Sequence, residues 1–321
     1  MKKDGFLATR SIETQFEELI ASPFRLTADD HPPRIVIIDG VDECADEMIQ
    51  QHFLSLIGTG VDGGGLPLRF LICSRPEPHI REAFDQSISV TSRIVLDNAW
   101  DSYDDIKRYF MDEFSRISTE RKIAPDTWPP EGVVDRLVQN SSGQFIYAAT
   151  VVKFVGDKYA GPRKQLDIIL GIRCRGGGSS PFADLDQLYL EILVRQPDQE
   201  FLRDFFNLMW LDWEGGLRSY SMPNLARPSA LSLYLNLEEG ELLAKLRGLH
   251  SLLDMSGILI HPHHASFLDF LRDSTRSNQY CADIQSSYRT FVRLFSTSML
   301  EYISQNQQSR LVGRVGHSLG T

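Results

Sequence analysis

The stretch Arg34–Cys44, "RIVIIDGVDEC", decides how this chain is read. Residues 35–38 are a continuous run of β-branched apolar side chains. Such a run reads as an interior strand buried on both faces, as in a parallel sheet covered by helices. The pair Pro32 and Pro33 breaks local regularity just ahead of it and launches the strand. Its carboxyl end delivers Asp39, with Asp42 and Glu43 directly beyond. In an open parallel sheet ligands bind at that edge, and carboxylates there can hold hydrated Mg²⁺ and orient a water against a terminal phosphate. Acids also follow strands as helix N-caps or solvated turn residues, so this stretch alone leaves both readings open.

Working outward, Ile12, Phe16, Leu19 and Ile20 recur at helical spacing upstream. Downstream, a helical stretch Ala45–Ile57 and a loop holding Gly63, Gly64 and Gly65 lead to a second apolar run, Leu68–Cys73, which ends at "SRPEP". Arg75 lies just past that second strand end, where its guanidinium can face the site the acids surround or pair with a surface carboxylate. A third candidate strand, Ser92–Leu96, precedes a helix with Tyr103, Ile106, Phe110, Phe114 and Ile117 on one face. Strand and helix alternating in this order predicts a doubly wound α/β layer.

Strand signals then stop. Gly132–Val138, Ser142–Val155 and Lys164–Leu170 read as short helices, and the glycine- and serine-rich Gly171–Pro181 reads as a linker. A further helix carries Leu185, Leu188, Tyr189 and Ile192 on one stripe, and the aromatic Phe201–Trp213 segment follows, with Phe201, Phe205, Phe206 and Trp210 expected in a core. A helix at 240–249, a candidate hairpin Leu252–His261 and a helix Ser266–Asp273 give an order compatible with a winged helix. The expected organisation is an α/β lobe over 1–120, a small helical domain over 121–172, a linker at 173–182, a winged-helix-like domain over 183–275 and a terminal helix and tail over 276–321. Residues Gln305–Thr321 lose their periodicity.

Composition narrows the function. A single core seldom grows past roughly 250 to 300 residues, so 321 residues favour more than one packed unit. With 33 Lys and Arg against 43 Asp and Glu, the net charge of −10 gives no broad cationic surface for a phosphate backbone, and nucleic acid is not an expected partner. Cys44, Cys73, Cys174 and Cys281 lie far apart in sequence and read as free thiols. The most apolar stretch, Phe145–Val155, is shorter than the ~20 residues a bilayer requires and carries Lys153. A cytoplasmic setting without membrane contact is expected.

Taken together, "PPRIVIIDGVDEC" and "LPLRFLICSRPEPHI" resemble the Walker B and sensor-1 segments of NACHT domains, in the STAND class of P-loop NTPases, with fungal members the nearest match. The resemblance continues through "QFEELI", "DIKRYFMDEF", "SSGQFIYAATVVKF", "LDQLYLEIL" and "HHASFLDFLRD", covering most of Ser11–Asp273. It implies that Asp39 is the Mg²⁺-associated Walker B aspartate, Gly40 the small residue after it, Asp42 and Glu43 the catalytic acidic pair, and Arg75 the sensor-1 arginine that contacts nucleotide. Cys73 stands where many relatives have Thr. ATP or GTP with Mg²⁺ is the implied cofactor of full-length relatives, and protein partners or a homo-oligomer the implied assembly.

One departure is large. No G-x-x-x-x-G-K-[ST] occurs anywhere in the chain, so the backbone cradle and ammonium that grip the β/γ-phosphates are missing. In the family that loop lies upstream of the region matching "QFEELI", and this chain is expected to begin after it. The fold expected is therefore an incomplete P-loop NTPase-type parallel sheet, followed by helical and winged-helix-like domains. The missing strand, ~5 apolar residues at roughly 1.5 to 3 kcal/mol each, amounts to on the order of 10 kcal/mol, comparable with the whole stability of a domain. The lobe should be marginal alone or repacked, and the chain should bind no cofactor and not hydrolyse nucleotide by itself. The alternative expectation is a non-enzymatic interaction module acting through its helical and winged-helix half.

Two other constellations carry less. His261, His263 and His264 could bind a metal, yet they fall in the stretch matching the winged-helix region. Cys73 or Ser74 with His79 could pair a nucleophile with a base, but no elbow motif or third orienting residue accompanies them.

Overall fold

The computed structural model describes residues 6–26, 34–44, 46–62, 66, 68–94, 99–124, 128–171, 182–213, 225–238 and 240–300. The chain divides into two compact units, Met1–Val95 and Leu96–Thr321. Among the described residues helices dominate, and two small sheets have two strands each.

In the first unit, α1 (Ile12–Phe16) runs through a π-helical turn, Glu17–Ala21, into α2 (Ser22–Arg25). Strand β1 (Arg34–Ile38) pairs in parallel with β2 (Leu68–Ile72), in register from Arg34 opposite Leu68 to Ile38 opposite Ile72. Between them runs α3 (Glu47–Asp62), and α4 (Pro78–Asp85) follows β2. Proline at the first turn of α4, with an extended Glu77 before it, presets the helical φ where no amide hydrogen is needed. Val36, Ile38, Phe70 and Ile72 face a core built on Phe16, Ala21, Ile57, Leu66 and Leu68, while Val41, Leu54, Ile80 and Ala83 form a second small cluster where α3 meets α4.

Two expectations are corrected here. The run at 35–38 is covered on one face only: Ile35 and Ile37 are 67% and 68% exposed, and Leu71 beside them is 51% exposed. A continuous apolar run fits a doubly covered strand, but the described residues of this unit supply helices to one side of the sheet alone. Thr91–Ile94 form no strand, and Ile94 is 80% exposed, while residues 95 and 96 lie outside the described residues. A 3₁₀ turn, Ile88–Val90, redirects the chain just before this segment. The parallel pair is real; a larger sheet does not appear among the described residues.

The second unit is helical and densely packed. Along α5 (Ala99–Glu120), Ile106, Phe110, Phe114 and Ile117 are buried at the spacing that defines one helix face. They join the core with residues of α6 (Val133–Asn140), α7 (Phe145–Val155) and α8 (Pro162–Gly171). Next come α9 (Ala183–Val194), α10 (Gln199–Trp213), α11 (Pro228–Tyr234) and α12 (Glu241–Leu246). The expected hairpin is present as β3 (Leu253–Asp254) antiparallel to β4 (His261–Pro262). It leads into α13 (Ala265–Arg272), α14 (Ser274–Ser277) and a last described helix, α15, over residues 284–300. Phe201, Phe205 and Phe206 are core residues as expected, and Trp210, partly buried, packs against the same core. Residues 173–181 of the expected linker at 173–182, and residues 301–321 of the expected terminal tail, lie outside the described residues. No described helix is long and apolar enough to cross a membrane.

Candidate functional site

Strand β1 delivers Asp39 exposed at its carboxyl end. Gly40 then turns the chain at φ +71°, a left-handed conformation that costs an L side chain roughly 1–2 kcal/mol. The turn is stitched to β2: Cys73 N–H donates to Ile38 O at 2.8 Å, while Gly40 N–H and Val41 N–H donate to Cys73 O at 3.0 and 3.3 Å. A 3₁₀ turn, Val41–Glu43, follows. Val41, 3% exposed, anchors it in the cluster between α3 and α4. The Glu43 side chain folds back over Gly40, within 3.2–3.4 Å of where a β-carbon would stand.

The two strand ends converge through Asp42. Its Oδ1 accepts from Arg75 N–H at 3.0 Å and lies 3.2 Å from Ser74 Oγ, and Arg75 Nε stands 3.5 Å from Oδ2. The single hydroxyl proton of Ser74 is shared with Arg75 O, 2.9 Å away. The Asp42 side chain is 10% exposed. Asp42 and Arg75, read separately in the sequence as an acid and a nucleotide-contacting cation, thus hold each other, and Asp39 and Glu43 remain exposed around them.

This edge fits one mode of Mg²⁺ binding. No group of three or more His, Cys, Asp or Glu converges among the described residues, so an all-protein cage is absent there. Hydrated Mg²⁺ needs only one or two carboxylates when phosphate oxygens and waters complete its shell, and Asp39 is placed to give one.

Sequence reading missed the support beneath the turn. Gln50 of α3, 5% exposed, donates its amide N–H groups to the carbonyls of Asp42, at 3.3 Å, and Cys44. Its Oε1 lies 2.6 Å from Nε2 of His79 in the first turn of α4. The signal was available, since Gln50 sits one turn before Leu54 and two before Ile57, a polar residue on the apolar stripe of its helix. Ser74 and His79 therefore bond to different partners and form no nucleophile–base pair in this arrangement.

The histidines of the second unit are likewise divided. Nδ1 of His261 faces Leu259 O, Nε2 of His263 faces His250 O, and His264 Nδ1 accepts from Ser266 N–H at 3.1 Å to cap α13. Since that nitrogen carries a lone pair, Ser266 Oγ donates to it at 2.7 Å and Tyr189 O–H donates to Ser266 at 2.9 Å. Burial pushes the Tyr189 hydroxyl up to about 12. Arg276 grips Asp186 bidentately at 2.9 and 2.7 Å, and that contact raises its already high pKa. Tyr189 also packs edge-on against Phe267 and Phe270, so "LDQLYLEIL" and "HHASFLDFLRD", some eighty residues apart, close on one another. "DIKRYFMDEF" and "SSGQFIYAATVVKF" do the same through Tyr109 and Phe145, 5.9 Å apart. Cys44, Cys73 and Cys281 are free thiols, and Cys174 lies outside the described residues.

The family model of the nephrocystin 3 N-terminal region matches residues 1–75. That span holds both strands and the whole acidic edge, and it closes on Arg75. Neither the curated proteins nor the solved structures contain a significant match.

Proposed function

We propose that this chain carries the acidic half of a NACHT-type nucleotide switch and works as a regulatory module rather than a self-sufficient hydrolase. The observation that supports this is the meeting of Asp42 with Ser74 and Arg75 across the carboxyl ends of two parallel strands, with Asp39 left facing outward beside them. Ligands of open parallel sheets bind at such an edge. In this reading Asp39 gives a carboxylate to hydrated Mg²⁺, which would neutralise phosphate charge when bound. Asp42 and Arg75 fix the two strand ends relative to one another, and Glu43 lies exposed over the glycine turn. The match over residues 1–75 is consistent with a shared first lobe. The absence of any G-x-x-x-x-G-K-[ST] from the sequence removes the phosphate-gripping side.

Titration of the purified chain with labelled ATP and Mg²⁺ tests the reading. No saturable binding in the micromolar range and no turnover are expected. Saturable micromolar binding that disappears in Asp39→Ala would overturn it, because the edge would then hold nucleotide unaided.

A second reading, a non-enzymatic interaction module acting through the helical and winged-helix half, draws on one surface. Along α15, Ile284, Val292 and Met299 are 59%, 59% and 45% exposed at helical spacing, with Tyr288 and Phe295 between them. Co-purification of the chain with a longer relative, lost in Val292→Asp, would favour it. An inert, well-folded monomer would count against it.

A further inference from the structure

Both acceptors of the Gln50 amide nitrogen are backbone carbonyls, Asp42 O and Cys44 O, so the NH₂ group must face the acidic turn and Oε1 must face away. On that far side Oε1 meets Nε2 of His79, at 2.6 Å. A carbonyl oxygen accepts and cannot donate, so His79 carries a proton on Nε2. Its Nδ1 is then directed towards Glu47, whose Oε2 is 4.0 Å away. Next along α3, Gln51 Nε2 donates to His79 O at 3.3 Å, holding the same first turn of α4 by its backbone. The segment Ser74–His79 therefore reaches the acidic turn by two independent routes. Ser74 and Arg75 bind the Asp42 carboxylate from the front, and His79 binds the turn's carbonyls from behind through Gln50.

We propose that Gln50 and His79 are positioning residues that lock the Asp39–Cys44 turn in the geometry presenting its acids at the strand edge. The functional meaning rests on the reading of that edge as a nucleotide-type site, but the relay itself is a claim about hydrogen bonds. A buried amide with two carbonyl acceptors and one donor keeps both N–H groups and its oxygen bonded only while all three partners stay in place. Losing His79 takes the donor from Oε1 of a side chain that is 5% exposed, and losing Gln50 takes the donor from two carbonyls of the turn.

The test uses the full chain with ¹⁵N-labelled histidine. Long-range ¹H–¹⁵N spectra at pH 8 are expected to show His79 as the Nε2–H tautomer with the Nε2 proton itself observable, because its bond to Gln50 slows exchange with water, and that proton signal should be lost in Gln50→Leu. Amide exchange over residues 41–44 is expected to rise at least tenfold in both Gln50→Leu and His79→Leu, with residues 34–38 changing less than threefold. His79→Gln, whose amide can place a donor near the former Nε2, should restore protection of the turn. An Nδ1–H tautomer, unchanged exchange in both leucine variants, no rescue by His79→Gln, or equal loosening of the strand and the turn would each overturn the relay. None of these readouts depends on nucleotide, so failure of the relay and failure of the proposed switch are told apart.

Discussion

Replacing Ile37 by Thr tests the bare face of the β1–β2 sheet most directly. Burying a whole isoleucine side chain is worth about 1.5–3 kcal/mol, and Ile37 is 68% exposed, so only about a third of that is at stake. Threonine keeps one methyl group and the β-branched preference for strand, which caps the expected loss at about 0.5–1 kcal/mol. Leu54, 4% exposed at the junction of α3 and α4, is the control: Leu54→Ala should cost about 2–5 kcal/mol. All four tryptophans lie after Val95, so indole fluorescence does not report on the first unit, and native-state hydrogen exchange over residues 34–44 and 68–74 is the suitable assay. At about 1.4 kcal/mol per tenfold change, Ile37→Thr should raise exchange about fivefold or less and Leu54→Ala by about thirtyfold or more. If Ile37→Thr loosens the strands as much as Leu54→Ala does, the outer face is covered and the one-sided sheet is wrong.

Two further outcomes concern the helical unit, where tryptophan fluorescence does report. Arg276→Met should cost about 3 kcal/mol in urea unfolding, because it strands the nearly buried Asp186 carboxylate; a loss under 1 kcal/mol would mean the pair is effectively solvated. Tyr189 gives a pH test. Its hydroxyl holds its proton up to about 12 when folded but only to about 10 when unfolded, so its contribution is complete below pH 10 and is lost as pH rises towards 12. The urea midpoint should therefore fall more steeply between pH 10 and 11.5 in the native chain than in Tyr189→Phe, and parallel curves would refute that.

How much was legible depended on whether burial followed from local pattern or from what lay across it. Ile106, Phe110, Phe114 and Ile117 repeat at intervals that fit only a helix face, and all four are buried. The run at 35–38 fixed β1 but could not say how many of its faces were covered, because consecutive apolar residues fit a strand with one bare face as well as one with none. The strand expected at Ser92–Leu96 rested on three apolar residues, and the 3₁₀ turn before it carries the chain elsewhere. At the site, the order of acids after β1 located Asp39 and Asp42. That Asp42 turns towards Arg75 depends on the register of β1 with β2, which sequence spacing does not encode. Gln50 was hidden by its type, since polar residues on amphipathic helices are read as solvent-facing unless their phase is checked against their neighbours.

The uneven packing of the two units bears on how a switch could work. In the helical unit, motifs separated by tens of residues meet through aromatic contacts, a bidentate ion pair and a Tyr–Ser–His chain, so its parts support one another. The first unit has two small apolar clusters, a two-stranded sheet and an isoleucine-lined face open to water. Two paired strands are marginal on their own, and parallel sheets are ordinarily covered on both sides. Hydrogen bonds must then hold what packing does not: the Cys73 carbonyl ties Gly40 and Val41 to β2, Asp42 ties the turn to Arg75, and Gln50 ties it to His79. Directional bonds are broken or remade by small displacements, whereas a packed core yields only cooperatively. In the proposed switch, an edge organised this way would yield to small displacements at the strand ends, and the acidic turn is where they would first be felt.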